Sequence, residues 1–373
     1  VTDLVQNVHK EGRFGFEEVT FLLLFGYLPN QEQLTSFCEL LGRCRELPRN
    51  FTEDMILKAP SANIMNKLGR SVLALYSYDH DPDNTQLEAL MERCILLIAR
   101  FPTIVGHAFQ AKKHFFDHES LYLHFPKESM YTAENVLRTL RPEKKFTAEE
   151  AHLLDTALML QAEHGGGNNS TFAARVVAST GTDIYSAIAA AVGSLKGHKH
   201  GGANLKVCEM VDHFKANVKD FTDEEEVKDF VRKVIKKEAG DGSGLIYGMG
   251  HAVYTRSDPR AVMLKEQARQ LAKTKGMEKE FALLENIEKT TPQVFTELGK
   301  TKVICANVDL YSGFVYEMLG IPREVYTPLF AIARVVGWSA HVMEEVTQAK
   351  KLIRPAYKSA NKIKPYTLLS DRT

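Results

Sequence analysis

The chain has 373 residues, 44% of them apolar and 25% charged, which suits a globular protein of one large or, better, two domains. Its 47 lysines and arginines are balanced by 47 aspartates and glutamates, which argues against a nucleic acid or an anionic membrane as the main partner, since both call for a basic excess. Five cysteines (Cys38, Cys44, Cys94, Cys208, Cys305) are odd in number and show no CxxC spacing, so no disulfide framework and no metal site is expected, and a reducing cytoplasm fits best.

No apolar run approaches the roughly 20 residues needed to cross a bilayer. The chain begins at Val1 rather than methionine, which leaves room for a leader or an upstream segment.

From the N-terminus, "FEEVTFLLLFGYLPNQEQLTSFCELLGRC" (16–44) predicts two helices broken at Gly26 to Pro29, with Asn30 capping the second. "TAEE" (147–150) reads as a capping box. Small apolar residues dominate 171–195, and the stretch is expected to be one buried helix at the centre of the larger domain. "GSLKGHKHGGAN" (193–204) follows it with four glycines and two histidines. Glycine there lowers helix stability, and a histidine beside an apolar run needs a hydrogen-bond partner.

The segment 205–300 is richer in lysine and glutamate. "TDEE" (222–225) reads as a second capping box, ahead of Val227, Phe230, Val231 and Val234 on one helical face. "KEAGDGSG" (237–244) is a polar loop. Neither strand-like alternation nor a fixed-period repeat is found. The reading is an all-α protein, with 1–205 and 320–373 as a large helical domain and 206–319 as a smaller one.

Four stretches combine glycine, histidine and charge beyond what a core requires. They are "QAEHGGGNNSTF" (161–172) with His164 and Asn168, the 193–204 stretch with His198 and His200, "GMGHAVYTRSDPRA" (248–261) with His251, Arg256, Asp258 and Arg260, and "NVDLYSG" (307–313) with Asp309. Each has a plainer reading. The histidines can be hydrogen-bonded structural residues, and the glycines can be turns or C-caps. Asp309 can cap a helix that begins near Tyr311, and Arg256 can pair with Asp258 at the surface. "HKH" without a carboxylate or cysteine at ligand spacing is weak evidence for a metal. Arg334, in "FAIARVVGWSAH", and Arg354, in "LIRPAY", stand among apolar residues where an unpaired guanidinium is costly. Either they pair with protein carboxylates, or with Arg260 they are held ready for a substrate bearing several carboxylates.

"HGGGNNSTF", "SLKGHKHGGAN", "GMGHAVYTRSDPRA", "NVDLYSG" and "ARVVGWSAHVMEE" occur in the order found in citrate synthases, and the chain resembles that family over nearly its whole length. The resemblance implies an all-α homodimer whose small domain closes on the large one. It implies condensation of acetyl-CoA with oxaloacetate to citrate and CoA, the CoA thioester being substrate and no cofactor being tightly bound. By that resemblance His200 hydrogen-bonds the thioester oxygen, His251 polarises the ketone, and Asp309 is the base. His164, Asn168, Arg260 and Arg334 bind substrate, and Arg354 reaches the neighbouring subunit's active site. For CoA, backbone around Leu245, Gly248 and Gly250 flanks the adenine and Arg256 contacts phosphate. The glycines around His200 are expected to let backbone and CoA approach it closely. Three positions depart from the pattern: His198 and Lys199 stand where a proline and a leucine are frequent, and Gln161 stands where a histidine is frequent. Two other readings remain open, a 2-methylcitrate synthase using propionyl-CoA and a non-catalytic helical dimer.

Overall fold

The computed structural model describes residues 2–250, 257–300, 303–348, 351–360, 362 and 365–372. Helix α1 (Thr2–Lys10) leads to α2 (Phe16–Phe25) and α3 (Gln31–Cys44). These two part as the sequence predicts: Gly26 takes φ 81°, and Asn30 and Gln33 form a reciprocal cap. A π-helical turn (Thr52–Leu57) precedes α4 (Ile64–Leu75) and the 31-residue α5 (Leu87–Asp117). Helix α5 is long and apolar enough by composition to cross a membrane, which the reading of apolar runs did not anticipate, yet most of it is buried inside the protein core. Next come α6 (Thr132–Leu140) and α7 (Ala148–Gln161), the latter opened by the expected Thr147–Glu150 box.

The stretch expected to be one central helix is two, α8 (Asn169–Ala178) and α9 (Ile184–Lys196). Gly181 adopts φ 79° between them and Asp183 caps α9 through the amide of Ser186. These local stop and start signals outweigh an apolar composition. The chain continues as α10 (Ala203–Asn217), α11 (Glu224–Ile235), α12 (Pro259–Lys275), α13 (Glu278–Glu297), α14 (Val308–Met318) and α15 (Tyr326–Gln348). The cap of α11 is Asp223, whose carboxylate accepts from Glu225 and Glu226 amides, rather than Thr222. Thr222 is instead drawn to Asp220 by its amide and its hydroxyl. The predicted stripe of Val227, Phe230, Val231 and Val234 is buried.

Helices α8 and α9 pack closely on each other, α4 lies on α9, and α15 crosses α5 and α8. A second group joins α11 to α13 and α12 and α10 to α14, and α7 touches both α12 and α14. One continuous apolar core runs through both groups, from Val5 to Met343. Among the described residues the only β pairing is an isolated bridge between Met249 and Ala306, so the fold is all-α.

Candidate active site

The start of α14 sets the position of Asp309. Asn307, not Asp309, caps this helix: its side chain accepts from the Asp309 amide at 2.9 Å. Asn307 is itself held by 248–250. Its amide donates to Gly248 O (2.9 Å) and its Nδ2 to Gly250 O (2.9 Å), while Gly250 N donates to Cys305 O (2.6 Å). Gly248 (φ 81°) and Gly250 (φ 101°) adopt backbone that L side chains rarely reach. The Asp309 carboxylate is thereby spared from capping. Burial pushes it up from 3.8 to about 6; Asp258 adds to this, while Arg260 and Arg334 oppose it.

His200 stands in a tight turn, where its amide and that of Gly201 both bond Gly197 O. A Cβ at Gly201 would collide with Leu195 O, and one at Gly202 with His198 O. Crowding by the chain's own backbone calls for glycine at both positions. His200 Nε2 lies 2.9 Å from Ser170 Oγ, an oxygen that also accepts from Trp338 Nε1 (3.2 Å) and lies 3.0 Å from Asn168 Oδ1. Burial, with a further push from Arg334, lowers the imidazole's proton affinity, so the ring is held neutral.

Arg334 is fully buried. Its Nε donates to Gln161 O (2.7 Å) and its guanidinium lies 4.5 Å from the centre of the Phe330 ring. Nη1 is buried without a hydrogen-bond partner among the described residues. Burial lowers its pKa to about 10 against the pull of Glu163. Arg260 pairs with Asp258 through two bonds, Nε–Oδ1 at 3.0 Å and Nη2–Oδ2 at 2.8 Å, and Asp258 also caps α12. For Arg260 the expected protein carboxylate is therefore present; for Arg334 Nη1 none is.

A cavity of about 180 Å³ gathers six of the sequence-predicted residues: His164, Asn168, His200, Arg260, Asp309 and Arg334. Gln161 also lines it, with Oε1 accepting from the buried Tyr316 hydroxyl at 3.1 Å. Leu245, Gly248 and Gly250 lie outside this lining; Leu245 is exposed, and the two glycines brace Asn307. Arg354, flanked by apolar residues in sequence, is exposed and does not line the cavity. His251 and Arg256 lie outside the described residues, and Asp258 is engaged by Arg260. Ser170, Tyr316 and Asn204 were not singled out from sequence. Ser170 sits inside a quoted motif, but only the fold shows that its hydroxyl meets His200.

The arrangement sets one high-pKa carboxylate, one neutral imidazole and two guanidinium groups around a single small space. That is a set able to take a weakly acidic proton, steady the oxyanion that results, and hold a polycarboxylate.

The family model described as the C-terminal domain of citrate synthase matches residues 1–356. Citrate synthase 2 of Bacillus subtilis strain 168 is 33% identical over 357 residues, covering 95% of this chain and 87% of that protein. A 2-methylcitrate synthase of Shewanella oneidensis is 30% identical, with coverage of 95% and 85%. Among solved structures, citrate synthase from Pyrobaculum aerophilum superposes with a TM-score of 0.82 at 29% identity, covering 99% of this chain and 88% of that one. Citrate synthase from Thermoplasma acidophilum, solved as a ternary complex with carboxymethyl coenzyme A and oxaloacetate, gives a TM-score of 0.81 at 28% identity, covering 99% of this chain and 91% of that one. With a fold that superposes on solved citrate synthases and a family model that spans nearly all of it, the chain belongs to the citrate synthase family of transferases.

Proposed function

We propose that the protein condenses acetyl-CoA with oxaloacetate and water to give citrate and free CoA. The observation that carries this reading is the meeting of Asp309, His200 and the Arg334 guanidinium in one cavity. A methyl group beside a thioester is a very weak carbon acid. Asp309, with a proton affinity raised to about 6, is better matched to remove its proton than an ordinary carboxylate. The developing enolate oxygen takes a hydrogen bond from neutral His200. A donor so placed contributes about 2.7–4 kcal/mol to the barrier reduction.

The enolate carbon then attacks the ketone of oxaloacetate, with His251 the proposed donor to its oxygen. His164, Asn168, Arg260 and Arg334 hold the carboxylates, and water releases CoA from the thioester that results. In the same reading 206–319 closes on the remainder to exclude water. Leu245, Gly248, Gly250 and Arg256 flank CoA, no cofactor is tightly bound, and a homodimer in the cytoplasm lets Arg354 enter the partner's site. The likeness to a ternary complex of a family member with carboxymethyl coenzyme A and oxaloacetate supports this choice of substrates.

The 2-methylcitrate synthase relative favours a second reading, propionyl-CoA as the thioester. One methylene separates the substrates by only about 1–3 kcal/mol. Free thiol release from each thioester, with and without oxaloacetate, tests both readings. Oxaloacetate-dependent release is expected, and the ratio of kcat/KM values names the acyl group. No release from either thioester would overturn the enzymatic reading in favour of a non-catalytic dimer.

A further inference from the structure

The end of α7 and the middle of α15 bring two opposite charges together without joining them. Glu163, next in sequence to His164, accepts through Oε1 from His341 Nε2 at 3.0 Å and from the amide of Gly165. Its Oε2 is buried with no partner and packs against Gly337. Gly337 follows Arg334 by three residues, about one turn along α15, and Arg334 Nη1 is also buried without a partner. An acceptor and a donor each left unsatisfied carry a desolvation cost, and the two charges attract each other. Direct pairing would relieve both. It would also neutralise the guanidinium assigned to the substrate.

We propose that His341 is a positioning residue: by holding the Glu163 carboxylate on its own ring N–H, it keeps the Arg334 guanidinium from being neutralised by Glu163 and so leaves its charge for a carboxylate of the substrate. This rests on the reading of Arg334 as a substrate ligand. The surroundings of His341 suit the task. Glu163 faces it from the end of α7, and Glu344 on its own helix lies 3.4 Å from Nδ1. Arg175 of α8 is turned to Glu345 (3.0 Å) and Gly166 O (3.3 Å). Two carboxylates against one guanidinium favour the imidazolium, and the hydrogen bond to Glu163, ahead of burial, raises the ring's pKa. The ring is therefore charged below that raised value and loses its charge as pH rises through it, so its grip on Glu163 weakens on the alkaline side.

Calorimetric titration of oxaloacetate into wild type, His341→Ala, Glu163→Gln and the double variant tests the idea. His341→Ala is expected to weaken binding about tenfold or more, because Glu163 turns to Arg334. Glu163→Gln stays near wild type, and the double variant regains wild-type affinity to within about threefold, since a glutamine brings no charge to cover Arg334. Titrated at one pH below and one above the raised His341 value, wild type should also lose affinity on the alkaline side by a step that His341→Ala lacks. Binding by His341→Ala equal to wild type would overturn the proposal. So would a double variant as weak as His341→Ala, which would mark His341 as a purely structural support of the loop. Wild type that binds no oxaloacetate at either pH would overturn the substrate reading itself, and the proposal with it.

Discussion

Ser170 Oγ lies 2.9 Å from His200 Nε2, and the same oxygen accepts from the fully buried Trp338 indole. A hydroxyl has one proton and two lone pairs, and the indole can only donate. One lone pair is thus fixed, the proton goes to Asn168 Oδ1 at 3.0 Å, and the second lone pair is left to orient the imidazole. Ser170→Ala removes the shared oxygen and leaves Trp338 Nε1 unsatisfied. The expected loss of stability is about 1–3 kcal/mol, measured by denaturant unfolding. The expected loss in kcat is about 10- to 100-fold, with oxaloacetate affinity changed far less. An unchanged kcat would mean that another group sets the tautomer.

The base is held at a cost to the fold. Raising Asp309 from 3.8 to about 6 means that its ionised form costs about 3 kcal/mol of stability. The sign follows from linkage. Below the unfolded value the carboxyl is protonated in both states and costs nothing; as pH rises through the folded value the full cost appears. Asp309→Asn should abolish oxaloacetate-dependent thiol release and yet unfold at a higher temperature than wild type near pH 8. That advantage should vanish near pH 4. A variant less stable than wild type at both pH values would show that the carboxylate is structural.

Much of this could be read from residues alone, for identifiable reasons. Helix caps are local, so the Thr147–Glu150 box and Asn30 as a cap were legible, while the answering bond from Gln33 came from the fold. The gathering of His164, His200, Asp309 and Arg334 was legible only through the family resemblance, because nothing local joins positions so far apart. Asp309 as a cap was the natural local reading, and Asn307, two residues earlier, took that role. Ser170 and Glu163 could not be recognised from sequence, since their importance lies in contacts with α15 across the core.

Gly337 shows the same dependence on packing. It sits inside α15, where alanine is the better helix former by about 1 kcal/mol. Propensity alone therefore predicts that Gly337→Ala stabilises the protein. The added Cβ, however, would strike the Glu163 carboxylate and stand 2.6 Å from Ala162 O, the acceptor of the Gly337 amide. Both atoms belong to the segment that carries His164. The expected outcome is a loss of about 1–3 kcal/mol, measured by thermal unfolding, together with weaker oxaloacetate binding. A gain in stability would show that the 162–164 segment relaxes freely.

Arg334→Met separates a binding role from a structural one. In the folded protein the guanidinium is fully buried, keeps one bond to Gln161 O and leaves Nη1 unpaired. Burial has already lowered its pKa to about 10. Replacing a buried, poorly paired cation by an apolar side chain of similar length is neutral or stabilising as a rule, so the unliganded variant should unfold at or above the wild-type temperature. Oxaloacetate at about 100 times its Kd should stabilise wild type by about 2.7 kcal/mol, and Arg334→Met should lose most of that increment. If the unliganded variant instead unfolds well below wild type and still responds to oxaloacetate, Arg334 is a brace between α15 and the end of α7. The carboxylates would then be held chiefly by Arg260.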